Sequence, residues 1–203
     1  MKHAFVYLAS LSPRRRQLLD QIGVRHEPLL PDSDEDTEAL EVHQPGELPL
    51  DYVLRVTQAK LAAAVLRQRR RGLPKAPILC ADTTVALGRS ILGKPADAAE
   101  ATATLARLSG RTHKVITAIA LASGRQRTSA VSISTVRFAA IDRKAIEGYV
   151  AGGEPFGKAG AYAVQSEAAA WIERIAGSYS GIMGLPLYET ACLLRDAGVA
   201  PFG

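Results

Sequence analysis

Asp82, Arg14, Arg15, Lys60 and Lys94 are the residues whose types suit phosphate chemistry: one carboxylate closing an apolar run, and four cations that a fold can bring to it. Residues 10–16 read Ser-Leu-Ser-Pro-Arg-Arg-Arg. They follow a strand-like run, 5–9, and open a helix, with Pro13 suited to the first helical position and Ser12 to capping the exposed amides. Free amides and the helix dipole favour an anion there, and guanidinium groups clamp phosphate oxygens in pairs. Arginines in a first turn oppose the dipole unless an anion compensates them. A capped helix with a solvated basic turn is the plainer alternative.

Residues 78–81, Ile-Leu-Cys-Ala, read as a buried strand that ends at Asp82. Ligands of open α/β sheets bind beyond the carboxyl ends of strands, which favours catalysis by Asp82; capping of a turn is the alternative for an aspartate so placed. Thr83 and Thr84 add hydroxyls, and a hairpin turning at Gly88-Arg89-Ser90 returns Lys94 toward the carboxylate. Lys60 borders the apolar helical stripe Leu50, Val53, Leu54, Leu61 and Val65. One such lysine commonly snorkels, but several cations converging on a cleft require a polyanion or acidic groups among them. The acidic loop 32–36, Asp-Ser-Asp-Glu-Asp, can supply those groups and hold a hard divalent cation beside phosphate, or be only a solvated turn. His113, taken alone, is more commonly structural than catalytic. Residues 154–165 read as a turn and a strand, 161–164, whose glycines allow close approach of a ligand.

The elements that must position these residues alternate in α/β fashion. A helix over 13–22 stops at Gly23, an extended piece covers 25–30, and a long helix covers 50–66. Asp97 and Glu100 make a capping box for a helix ending at Ser109-Gly110. Strands 114–122 and 126–138 form a hairpin through Ser123-Gly124-Arg125, and Asp142 opens a helix reaching Val150. Strand 171–175, a glycine-rich loop through Gly177, Gly181 and Gly184, and a helix over 187–194 complete the chain. With 203 residues, 47% of them hydrophobic, the sequence predicts one soluble globular domain over 1–203. It offers no secretory or membrane-spanning segment, and the cytoplasm is the expected address. Neither Cys80 nor Cys192 has zinc or disulfide spacing. The net charge of +5 favours anionic partners. The basic cluster Arg67, Arg69, Arg70, Arg71 and Lys75 reads as a solvated helix end, because no aromatic residues are interleaved for stacking on bases.

In order along the chain, Leu8-Ala9-Ser10 with Ser12-Pro13-Arg14-Arg15, Lys60, Ala81-Asp82-Thr83, Leu92-Gly93-Lys94-Pro95, Ser109-Gly110-Arg111-Thr112-His113, Lys158-Ala159-Gly160-Ala161-Tyr162 and Gly184-Leu185-Pro186 resemble the Maf family of nucleoside triphosphate pyrophosphatases. The resemblance implies an inosine-triphosphatase-like α/β fold: an elongated mixed sheet flanked by helices, two lobes and a central cleft. It implies a homodimer and hydrolysis of a nucleoside triphosphate to the monophosphate and pyrophosphate with Mg²⁺ or Mn²⁺. Asp82 matches the catalytic aspartate. Arg15, Lys60 and Lys94 would neutralise the phosphates, Ser10 would bind the substrate, and Glu35 with Asp82 would hold the ion. Arg14, Thr83 and Gln165 match positions bearing on substrate choice. They agree with the dTTP and UTP branch, whereas Tyr, Gln and Glu mark a 7-methyl-GTP branch. The amide of Gln165 offers the donor and acceptor that uracil or thymine needs. The chain departs from many members at Gly157, where aspartate is frequent, and at Ser166, where glycine is. Two alternatives differ in kind: a pyrophosphatase for 7-methyl-GTP or another modified purine, and a noncatalytic nucleic-acid-binding regulator of cell division.

Overall fold

A computed structural model describes residues 3–33 and 35–201, so Asp34 of the acidic loop lies outside the described residues. Its strands are β1 (Val6–Leu8), β2 (His26–Pro28), β3 (Ile78–Leu87), β4 (Ser90–Leu92), β5 (Thr112–Ser123), β6 (Gln126–Phe138) and β7 (Ile172–Ala176). Its helices are α1 (Pro13–Gln21), α2 (Pro49–Arg70), α3 (Ala98–Leu108), α4 (Arg143–Ala151), α5 (Tyr179–Met183) and α6 (Leu187–Asp196). The strands form a mixed seven-stranded sheet in the order β2-β1-β3-β5-β6-β7, with β4 on β3. Pairing is parallel through β2, β1 and β3 and antiparallel elsewhere.

The pleat sorts side chains between two helical layers. On one face Val6, Leu8, Leu79, Ala81, Ile119 and Leu121 pack with Leu18 and Leu19 of α1 and Leu194 of α6. The alternate residues Tyr7, Ile78, Cys80 and Ala120 pack on the other face with Leu61, Ala64 and Val65 of α2. Burial on both faces explains why β3 reads as a nearly continuous apolar run. Cys80 belongs to this core, and burial pushes its thiol up to about 12. Farther along the sheet, Phe138 with Leu105 and Leu108 of α3 and Ile146, Tyr149 and Val150 of α4 forms another core cluster.

One edge of β3 carries a notch. Strand β1 pairs with it only at Ile78 and Leu79, and β4 only from Val85 onward. Residues 80–84 therefore lack a strand neighbour on that side, while β5 covers the other side throughout. The chain leaving β1 turns into α1 above this gap.

Local signals behave largely as their chemistry requires. Asp97 Oδ1 accepts from the Glu100 amide at 2.8 Å, and the Glu100 carboxylate accepts from the Ala96 amide at 2.8 Å. Asp142 caps α4 through the Ala145 amide at 2.9 Å. Four expectations change. The strand expected to end at Asp82 runs on to Leu87, so Asp82 lies within β3 and the open edge beside it, not a strand end, gives it access to a ligand. Ser12 makes no side-chain cap to α1; its own amide donates to Ser10 Oγ at 3.2 Å. The expected strand at 161–164 is a 3₁₀ turn, Ala159–Ala161, followed by residues paired to no strand, because φ is positive at Gly160 (71°) and Ala161 (62°). The glycine-rich loop contains α5, capped by Ser178 Oγ from the Gly181 amide at 3.0 Å and too short to show a periodic pattern.

His113 on β5 is 2% exposed, and burial lowers its pKa from 6.5 to about 4. The unfolded chain takes up this proton near the ordinary value and the folded chain does not, so stability falls as pH drops through the window between them. The loss from this one group should reach roughly 3 kcal/mol at the lower end. Urea unfolding at neutral pH and at pH near 4.5 should show a shallower pH dependence in His113→Gln than in the parent; equal dependence would contradict the assignment.

Candidate functional site

The β3 notch opens into a cavity of about 420 Å³, within the range of small-molecule sites. Its walls include Arg14 and Arg15 from α1, Lys60 from α2, Asp82 and Thr83 from β3, Lys94 after β4, and Gln165. Alternation along β3 sends Asp82 and Thr83 to opposite faces. Asp82 lies opposite Ala118, which packs with Tyr52, Val53 and Val56 of α2. Thr83 lies opposite Thr117, on the side of α1 and α5. The gap in the edge lets both side chains border one cavity.

On the α2 side a row of alternating charge runs outward. Lys60 Nζ donates to Asp82 Oδ1 at 2.6 Å and to Glu41 Oε1 at 2.7 Å, and Lys94 Nζ donates to Glu41 Oε2 at 2.8 Å. Lys94 thus reaches Asp82 through Glu41 and Lys60. Glu41 ends a 3₁₀ turn, Ala39–Glu41. The segment carrying it is fastened to α2: Arg55 donates to Leu40 O (3.2 Å), Val42 O (2.9 Å) and both carboxylate oxygens of Glu47 (2.6 and 2.8 Å), and Tyr52 Oη donates to Glu41 O (3.1 Å). Burial works to raise the Glu41 pKa, but Lys60 and Lys94 outweigh it and hold the carboxyl below its ordinary value.

The α1 side is different in kind. Arg15 donates from Nε to Gly184 O (2.8 Å), from Nη1 to Ser10 Oγ (3.0 Å) and from Nη2 to Thr83 Oγ1 (3.3 Å), all neutral acceptors. Thr117 Oγ1 gives its proton to Gly181 O at 2.7 Å, so the hydroxyl of Thr83 donates to Thr117 at 2.9 Å and is left to accept from Arg15. This relay fixes the guanidinium without neutralising it. Among the described residues neither Arg14 nor Arg15 has a carboxylate within ion-pairing distance. Burial lowers the Arg15 pKa and the charge of Asp82 opposes that shift. A desolvated guanidinium held by neutral groups is a ready partner for an anion.

Glu35 does not join this arrangement. Arg67 Nε donates to its two oxygens at 3.0 and 3.1 Å, Arg70 Nη2 donates to Oε1 at 2.6 Å, and these bonds, led by Arg67, hold the carboxyl below its ordinary pKa. Arg67 is itself 4% exposed and also donates to Leu29 O at 2.9 Å. The basic cluster is a solvated helix end only in part: Arg69 and Lys75 are exposed, but Arg67 is buried and Arg70 and Arg71 also pair with Asp32, which ties the acidic loop to the end of α2. The carboxylate that faces Asp82 across Lys60 is Glu41, which sequence reasoning missed because no motif marks it. Gln165 is exposed in the cavity wall and its amide makes no hydrogen bond within the described residues. Beside the departure at Gly157, Lys158 Nζ is held by the carbonyl of Glu154, and its carboxylate lies 3.6 Å away.

The sequence model of the family described as Maf-like protein matches residues 5–197. Over 195 residues the chain is 64% identical to the dTTP/UTP pyrophosphatase of Polaromonas sp., with 96% of each chain covered. It is 61% identical over 194 residues to the dTTP/UTP pyrophosphatase of Albidiferax ferrireducens, covering 96% of this chain and 97% of that one. It is 63% identical over 200 residues to the protein of the same name from Burkholderia pseudomallei, covering 98% and 96%. A cavity built from the motifs at Ser10 to Arg15, Lys60, Asp82 and Lys94, together with likeness along nearly the whole chain, places this protein in the Maf family.

Proposed function

We propose that this protein hydrolyses nucleoside triphosphates, dTTP and UTP foremost, to the monophosphate and pyrophosphate. The observation that carries this reading is the pair Arg14 and Arg15, without an anionic partner among the described residues, in one cavity with Asp82 and the Lys60–Glu41–Lys94 row. The similarity to dTTP/UTP pyrophosphatases supports the substrate class, and the exposed amide of Gln165 suits the edge of a pyrimidine. Membership of the family also supports a homodimer working in the cytoplasm, and no described helix is long and apolar enough to cross a membrane. The reading as a nucleic-acid-binding regulator loses ground, because Arg67, Arg70 and Arg71 are engaged with Asp32 and Glu35.

The residues fit a divalent cation that arrives with its nucleotide. Among the described residues no cluster of three His, Cys, Asp or Glu side chains could cage one. Asp82 and Glu41 nevertheless already converge on one positive group, the Lys60 ammonium. Mg²⁺ commonly takes one or two carboxylates and completes its shell with phosphate oxygens and water. Asp82 and Glu41 would hold the ion, which supplies Lewis-acid neutralisation of the phosphates. Lys60 and Lys94 would then exchange carboxylate partners for phosphate oxygens, and Arg14 and Arg15 would neutralise remaining negative charge on the triphosphate. Among the described residues only Oδ1 of Asp82 carries a hydrogen bond, leaving Oδ2 to accept the proton of a water. That water adds to the α-phosphorus, the bond to the bridging oxygen breaks, and pyrophosphate leaves with charge spread toward Arg15 and the lysines.

Pyrophosphate release should be readily measured with dTTP and UTP in Mg²⁺ or Mn²⁺, and Asp82→Asn should slow it about a hundredfold or more. Turnover that survives unchanged in that variant, or is absent with every nucleotide, would contradict the proposal. Glu41→Gln should raise the metal concentration giving half-maximal rate by about tenfold, whereas Glu35→Gln should lower melting temperature without changing metal dependence. The opposite pattern would return the ion to Glu35.

A further inference from the structure

The wall of the cavity opposite α2 is formed by residues 157–165, which supply Lys158, Tyr162 and Gln165. This segment has unusual backbone. Ala161 is the one non-glycine residue with positive φ among those described, and a left-handed alanine is strained because its Cβ crowds the following carbonyl oxygen. Such a conformation persists only where its surroundings determine it. Three restraints do so. The Gly160 amide donates to Gly93 O at 3.0 Å, next to Lys94. Gly160 also packs so closely on Val85 that an added Cβ would lie 2.8 Å from that side chain. The third restraint is polar and remote from the cavity: His113 Nε2 lies 2.7 Å from Tyr162 Oη.

His113 sits where an apolar residue would be expected. It is edge-on to Phe138 at 5.0 Å and to Tyr162 at 5.4 Å, within the cluster that includes Trp171 and Tyr149. Its Nδ1 is buried and makes no hydrogen bond, so Tyr162 is its one polar partner among the described residues. Burying an imidazole with a nitrogen left unmatched is costlier than burying a hydrocarbon of the same shape. Core packing alone does not account for the histidine; the direction it imposes on Tyr162 does.

We infer that His113 is a positioning residue for base recognition: through Tyr162 it sets segment 157–165, and so the amide of Gln165, at a fixed reach from Asp82 and Arg15. The inference rests on the proposed hydrolysis of pyrimidine triphosphates. His113 itself is not among the residues bordering the cavity, so its effect falls on nucleotide selection and leaves the phosphate chemistry in place.

Steady-state kinetics of the full chain with dTTP, UTP, ATP and GTP, alongside melting temperatures, test it in His113→Leu, His113→Gln and Tyr162→Phe. Tyr162→Phe keeps the ring and removes only the hydroxyl, which guards against a variant that fails to fold. His113→Leu and Tyr162→Phe should each raise KM for dTTP about tenfold while kcat stays within about twofold, and the preference for pyrimidines should fall by a similar factor. His113→Gln, whose amide nitrogen can stand near Nε2, should recover most of the preference. Folded His113→Leu or Tyr162→Phe with parental KM and preference overturns the inference. So does a loss equal for all four nucleotides, or a glutamine variant no better than the leucine one. A parent protein that hydrolyses none of the nucleotides overturns the functional reading and this inference together.

Discussion

Positive charge fixed by neutral groups is the interaction on which this site depends. Most cations of the cleft are answered from within: Lys60 by Asp82 and Glu41, Lys94 by Glu41, Arg67 by Glu35. Among the described residues Arg15 is answered only by a hydroxyl of Ser10, a hydroxyl of Thr83 and the carbonyl of Gly184. Those dipoles orient the guanidinium and leave its charge intact, in a setting where desolvation makes that charge unfavourable. An anion carrying several oxygens relieves the imbalance, and the alternating row on the other side of the cavity can exchange partners without a change in its own total charge. The α2 side of the cavity is thus balanced within itself, while the α1 side keeps its positive charge.

The fold supplies this arrangement through a fault in an otherwise well-paired sheet. Strand β3 is long and paired throughout with β5, but on its other edge β1 stops early and β4 starts late. Within the gap the pleat delivers Asp82 to α2 and Thr83 to α1, so one strand feeds both halves of the site. Small residues complete the enclosure. Gly181 allows α5 to approach Ser132, where an added Cβ would lie 3.0 Å from the hydroxyl, and α5 then brings the carbonyls of Gly181 and Gly184 to Thr117 and Arg15.

What could be read beforehand follows the range of each interaction. Strand 126–138, the capped helices after Asp97 and Asp142, and the phosphate-suited residues Arg14, Arg15, Lys60, Asp82 and Lys94 carry their signals locally, in periodicity, caps or residue type, whereas the apolar run 78–81 marks only the first part of a strand that continues through Asp82 to Leu87. Glu41 does not: it lies in an irregular segment, and its place is set by Arg55 and Tyr52 on a helix that follows it. Glu35 belongs to an acidic loop whose composition suggests an ion, but Arg67 lies one helix away and claims it. Tyr162 reads as part of a strand because its neighbours are apolar, and only the tertiary contacts of Gly160 with Val85 and of Tyr162 with His113 make a turn the better solution. Ser12 has the composition of a cap, yet Ser10 takes the Ser12 amide and the arginine together.

The most direct test of these charges is a crystal structure of the protein with Mg²⁺ and a dTTP analogue whose α,β bridge cannot be hydrolysed. Phosphate oxygens should lie on Arg15 and Lys94, the α-phosphorus beside Asp82, and the thymine against Gln165. Phosphates bound away from Arg15, or a nucleotide whose α-phosphorus lies beyond reach of a water on Asp82, would contradict it.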